Sequence, residues 1–153
     1  MYDRVLIHVD RKRGFETYLP FLRSVLRKEL AREAVLTTAV KPSEPTLFGY
    51  VLDAADVAAA DAHNLTEADG FLSRIATSLR AEGTTVQTKV LVGDPAEAFR
   101  EYAATGGFDL VVVAPTGRRY LLTGKSKAFR RALRAVARPV MILQALPQPA
   151  HAA

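Results

Sequence analysis

Cysteine is absent from all 153 residues. That excludes disulfides, thiolate nucleophiles and cysteine metal sites, and it fits a reducing compartment. No apolar run approaches the ~18 residues a membrane helix needs, so no membrane partner is expected. Only three histidines occur, His8, His63 and His151. No two have ligand spacing, and no metal site is expected. A G-x-S-x-G nucleophile elbow is missing, as is any local serine–histidine–acid set. The acids Asp53 and Asp56 stand at a helix start, where the helix dipole already accounts for them. Met1-Tyr2-Asp3-Arg4 carries an acid at once and no long apolar stretch. No signal peptide is expected, and the cytoplasm is the expected location.

What is present is globular. Hydrophobic residues make up 49% and charged residues 24% of the chain, a balance that argues against disorder. A chain of this length forms one domain that buries roughly 70% of its unfolded surface without staples. One α/β domain is expected over residues 1–146, with a flexible, Pro- and Ala-rich tail over 147–153.

Val5-Leu6-Ile7-His8-Val9 is a short β-branched run ending at Asp10, as in a strand buried on both faces. Leu19, Leu22, Leu26 and Leu30 then recur at helical spacing within residues 15–32. A second strand covers 34–40, and the Pro42, Pro45 and Gly49 segment over 41–50 reads as a loop. Residues 54–82 form a long Ala-rich helix stopped by Gly83. A third strand, 84–92, alternates like a half-exposed edge. Asp94-Pro95-Ala96-Glu97 opens a helix: aspartate as cap, proline in the first position, glutamate three residues past the cap. Gly106-Gly107 ends it. Residues 108–113 form the fourth strand, 119–136 contain a last helix, and 139–143 form the fifth strand. Strict alternation of this kind demands crossovers. Right-handed crossovers give a doubly wound, five-stranded parallel sheet with helices on both faces. Ligands in such folds bind at the carboxyl ends of the strands, which here means after Asp10, Val40, Val92 and Val113.

The net charge is +5, and its arrangement says more than its size. Asp10 leads into Arg11-Lys12-Arg13. The fourth strand leads into Ala114-Pro115-Thr116-Gly117-Arg118-Arg119 and then Gly124-Lys125-Ser126-Lys127. From Gly117 to Arg138 there are eight cations and no acid. Glycine, hydroxyls and lysine ahead of a helix N-terminus suit phosphate, because free N–H groups and the dipole favour an anion; a solvated basic helix face is the plain alternative. Gly124-Lys125-Ser126 is not a P-loop, since the pattern requires glycine where Arg119 stands. Gly93-Asp94-Pro95 is explained by capping, although its place at a strand's carboxyl end makes Gly93 a binding candidate. No aromatic platform interleaves the arginines, so nucleic acid is not the expected partner.

Three segments resemble the universal stress protein family: the strand Val5–Asp10; Leu91-Val92-Gly93-Asp94-Pro95-Ala96-Glu97-Ala98-Phe99; and Asp109-Leu110-Val111-Val112-Val113 with the basic loop and Arg138-Pro139-Val140-Met141-Ile142-Leu143 after it. The resemblance implies a sheet ordered 3-2-1-4-5 and a homodimer formed through the last strand. It also implies an adenine nucleotide, ATP or AMP, between the first and fourth strands. Asp10 and Val40 would stand by the base, and Ala114, Gly117, Gly124 and Ser126 along the phosphates; Thr116 and, by its charge, Lys125 are further candidates in the same loop. The loop departs from the family's G-x-x-G, nine residues, G-[ST]: Ala114 replaces the first glycine, six residues separate Gly117 from Gly124, and Lys125 separates Gly124 from Ser126. The function implied is regulatory or protective. A nucleotide-independent dimeric interaction module and a nucleotide hydrolase are the alternatives.

Overall fold

The computed structural model describes residues 2–11, 15–27, 31–47, 50–81, 83–114 and 124–143. Its strands are β1 (Tyr2–Val9), β2 (Ala31–Val40), β3 (Thr46–Leu47), β4 (Tyr50–Val51), β5 (Thr85–Val92), β6 (Leu110–Ala114) and β7 (Val140–Ile142). Its helices are α1 (Leu19–Val25), preceded by a 3₁₀ turn over Phe15–Tyr18, then α2 (Ala54–Arg80), α3 (Pro95–Thr105) and α4 (Gly124–Ala135).

Five parallel strands form one sheet in the order β5-β2-β1-β6-β7. With the separate hairpin β3–β4 left out of the count, this is the expected 3-2-1-4-5. The chain winds outward from β1 to β2 to β5. It then crosses back over β1 to β6 and β7, so the helices divide between the two faces. Strand alternation makes the division visible in the core. Val5, Ile7, Val9, Leu36 and Val112 pack with Leu22 of α1, with Leu26 just past its end, and with Leu72, Ile75 and Leu79 of α2. Their neighbours in the strands, Leu6, Val35, Val111 and Val113, pack on the other face with Phe99 and Ala103 of α3, Phe129 and Ala132 of α4, and Val136 just past its end. A side-chain period of two thus feeds two hydrophobic cores from one set of strands.

Several boundaries differ from the sequence expectation. The first helix does not run to Arg32. The leucine spacing ends usefully at Leu26, and Ala31 and Arg32 already belong to β2, where Ala31 pairs with Tyr2. Cross-strand pairing overrides helical periodicity there. The segment 41–50 is not only loop, because Leu47 pairs with Tyr50 in a short hairpin. Asp94 caps α3 as expected: its carboxylate accepts from the Glu97 N–H at 3.2 Å. The buried residues of α2 begin at Ala68, so its first half stands clear of the sheet. Tyr50 and Val51 beside it are 76% and 83% exposed. The tail 147–153 lies outside the described residues.

Candidate functional site at the upper edge of the sheet

In a parallel sheet every strand ends on the same edge, here called the upper one. Asp10 follows β1 directly. Val9, the last residue of β1, pairs with Ala114, the last of β6. Asp10 therefore stands beside the point where β6 gives way to its basic loop. From β1 the connections leave in opposite directions, through α1 on one face and, for β6, into α4 on the other. This is the switch point at which such sheets leave a crevice.

Val40 ends β2 and is buried. Its carbonyl accepts from the Gly93 N–H at 3.0 Å, so these two candidates are tied together. Gly93 has φ +136°, a conformation that L side chains rarely adopt. However, Gly93 follows β5, and both β2 and β1 lie between it and β6. At about 4.8 Å per strand spacing it is roughly 14 Å from Ala114. The structure thus brings Asp10 and Ala114 to one gap and Val40 to its shoulder, with Gly93 apart from them. Ala114 is an ordinary strand residue whose methyl packs in the core of the α1 and α2 face.

Gly124, Lys125 and Ser126 form the first turn of α4, where the sequence reading had them in the loop ahead of it. That turn contains no acid. The first-turn N–H groups of a helix have no intrahelical partner, and with the dipole they favour an anion. Thr116 and Gly117 lie outside the described residues, as do Arg118 and Arg119. Among the described residues no group of three or more histidine, aspartate or glutamate side chains is arranged to hold a metal.

One feature beneath this edge has no signal in the sequence. His8 lies two residues before Asp10 and faces α3 and α4. Its ring is 4.9 Å from that of Phe99 and 5.5 Å from that of Phe129. Thr37 Oγ1 donates to the Ile7 carbonyl at 3.3 Å and lies 3.0 Å from His8 Nδ1. Burial lowers the imidazole pKa from 6.5 to about 4, so the ring is neutral at pH 7. Sequence spacing could not have revealed this group, because Phe99 and Phe129 meet His8 only through the crossovers.

A shallow groove of about 250 Å³ lies between β5 and α3, lined by Lys89, Leu91, Glu101 and Tyr102 among others. It opens at the side of the sheet, away from Asp10. No described helix is long and apolar enough to cross a membrane.

The sequence model of the universal stress protein family matches residues 1–142. Among solved structures, the universal stress protein UspA from Lactobacillus plantarum is 15% identical, with 94% of this chain and 98% of that chain covered and a TM-score of 0.72. A universal stress protein family member from Arabidopsis thaliana with AMP bound is 18% identical, with 97% of both chains covered and a TM-score of 0.61. The universal stress protein from Archaeoglobus fulgidus in complex with dAMP is 16% identical, with 94% and 98% covered and a TM-score of 0.54. No curated protein matches significantly. At these identities the solved structures speak to the fold, and the family match speaks to descent.

Proposed function

The chain belongs to the universal stress protein family, and on that premise we propose that it binds an adenine nucleotide at the gap between β1 and β6 and acts as a regulatory or protective protein. One observation carries this reading: an acid ends β1 beside the strand whose basic loop leads into a helix N-terminus without an acid. The two ends of a nucleotide need these two environments. The Asp10 carboxylate accepts from base or ribose donors, and free N–H groups with cations receive phosphate. The AMP and dAMP complexes of the Arabidopsis and Archaeoglobus relatives support the ligand class.

Of the two expected cofactors, AMP suits this chain better than ATP. Six residues separate Gly117 from Gly124, which is short for a loop that must wrap three phosphates. Lys125 adds a charge that serves a single phosphate well. Calorimetric titration with AMP, ADP and ATP tests this. The expected result is saturable binding with AMP tightest, weakened about tenfold or more in Asp10→Ala, as for loss of a charge-assisted hydrogen bond. No heat with any nucleotide would reject it in favour of a nucleotide-independent interaction module. Turnover with Mg²⁺ that is lost in Lys125→Ala would favour a hydrolase.

The homodimer has separate support. β7 pairs with β6 on one side only among the described residues, and Ile142 on it is 53% exposed. An open apolar edge near the end of the sheet invites pairing with a second copy. Light scattering at micromolar concentration is expected to give the dimer mass, and Ile142→Lys the monomer mass.

A further inference from the structure

The nucleotide reading uses only the start of α4, yet the cations continue. Lys127, Arg131 and Arg134 follow one another at steps of four and three residues. At about 100° per residue they fall within roughly 60° of one another and span about 10 Å of helix. Arg138 lies three residues beyond the end of α4. All four side chains are exposed, and among the described residues none of them belongs to an ion pair. Of the other exposed residues between them, Ala128, Ala135 and Ala137 are small and Arg130 is a further cation, so none of them holds an anionic partner away. The opposite side of α4 is spent: Phe129, Ala132 and Val136 are buried in the core.

We propose that this stripe docks the phosphodiester backbone of a nucleic-acid duplex, without sequence preference. The surface fits that partner and not its competitors. A single strand needs aromatic rings on which to stack its bases, whereas the exposed aromatic residues described, Tyr2, Phe21 and Tyr50, lie on β1, α1 and β4. A membrane surface needs a free apolar helix face, and that of α4 is in the core. An acidic protein needs an apolar anchor at the centre of the contact, and the exposed residues between these cations are alanines and Arg130. Arginine matches phosphate with two parallel bonds, and three of the four cations are arginines. A duplex carries a charge about every 1.7 Å of its axis, so a 10 Å stripe meets several phosphates at once. The rejection of nucleic acid from the sequence rested on the missing aromatics, and that applies to single strands alone.

Fluorescence anisotropy of a short labelled duplex of mixed sequence, titrated over a range of salt, tests the proposal. With four phosphate contacts, log K is expected to fall against log salt with a slope of about −3.6. Arg131→Ala with Arg134→Ala should reduce the slope to about −1.8, whereas Arg131→Lys with Arg134→Lys should retain it. Arg27→Ala with Arg74→Ala removes the same charge from the other face of the sheet and should leave the slope unchanged. Thermal melts establish that each variant is folded. Saturating AMP is expected to leave duplex binding in place, which separates this surface from the nucleotide site whether or not AMP binds. Absence of salt-dependent binding, equal loss in the Arg27 and Arg74 control, displacement by AMP, or tighter binding to single strands, anionic vesicles or polyglutamate would each overturn it.

Discussion

At the lower edge of the sheet, where the strands begin, side chains fasten the backbone. Asp109 accepts from the Asp3 and Arg4 N–H groups at 2.8 and 2.9 Å. The Arg4 guanidinium bonds the Gly106 carbonyl, lies 4.8 Å from the centre of the Phe108 ring and reaches Glu33. Arg80 clasps the Val86 carbonyl with two donors at 3.0 and 2.7 Å, and Thr84 bonds the Leu26 carbonyl. At the upper edge the described ties include the Gly93 N–H to the Val40 carbonyl, the Leu143 N–H to the Val113 carbonyl and the Asp94 cap. Even the glycines differ. A methyl on Gly106 would meet the Phe108 ring, at 2.8 Å from Cζ, whereas one on Gly93 would come no nearer than 3.8 Å to Ala98 Cβ. A parallel sheet held at one edge by its own side chains can place its ligand site at the other. Stability and binding are then encoded at opposite ends, and substitutions can separate them.

The largest effect is expected at the locked end. Phe108 is buried beneath Arg4 and 5.4 Å from the Tyr102 ring. Phe108→Ala should cost about 3 to 5 kcal/mol, as for a fully buried phenylalanine, measured by urea unfolding. It should leave AMP affinity unchanged in the fraction that remains folded. An affinity that fell in step with stability would break the separation of the two edges.

Acid should attack the upper half first. His8 is neutral when folded, with a pKa near 4 against about 6.5 unfolded. A depressed histidine contributes stability above pH 6.5, and that contribution is lost as pH falls toward 4, because the unfolded chain takes up the proton first. The gap corresponds to about 3 kcal/mol. Unfolding midpoints should drop over that window, and His8→Leu should flatten the drop. An imidazole that titrates near pH 6.5 in the folded protein would refute the expectation.

The sequence made the frame legible, because β-branched runs, leucine spacing and glycine–proline punctuation are local signals. Asp10, Val40, Gly93 and Ala114 were recognisable as strand ends, since a strand's last residue follows from where its apolar run stops. The extent of the first helix was not. Leu30 continues the period of Leu19, Leu22 and Leu26, while the pairing of Ala31 with Tyr2 decides where β2 begins. The distance of Gly93 from the gap depends on strand order, which the family resemblance supplies and no local pattern does. The His8, Phe99 and Phe129 cluster, assembled from three distant segments, has no spacing to read.

Asp109 should give the next effect. Burial pushes its carboxyl pKa up, but the bonds from the Asp3 and Arg4 N–H groups outweigh this and hold it below the usual range. Asp109→Ala should lose about 2 kcal/mol at neutral pH, as for hydrogen bonds to a charged group. A depressed carboxyl stabilises above its unfolded pKa and loses that contribution as pH falls through the folded one. Wild type and variant should therefore converge in strong acid, at lower pH than the His8 transition. A difference between them that persisted there would mean that packing, and not charge, holds this corner.

Gly93→Ala should have the smallest effect and is the most informative about the upper edge. Its Cβ has room, so the penalty is that of the positive φ alone, about 1 to 2 kcal/mol. Thermal melting should show that modest loss. The Gly93 N–H bond to the Val40 carbonyl fixes the shoulder of the gap, while two strands separate Gly93 from β6. If Gly93 shapes the turn without meeting the ligand, AMP affinity should change by less than about twofold, well short of the loss in Asp10→Ala. A loss as large as that of Asp10→Ala would extend the site across the whole upper edge and make the turn part of the binding surface.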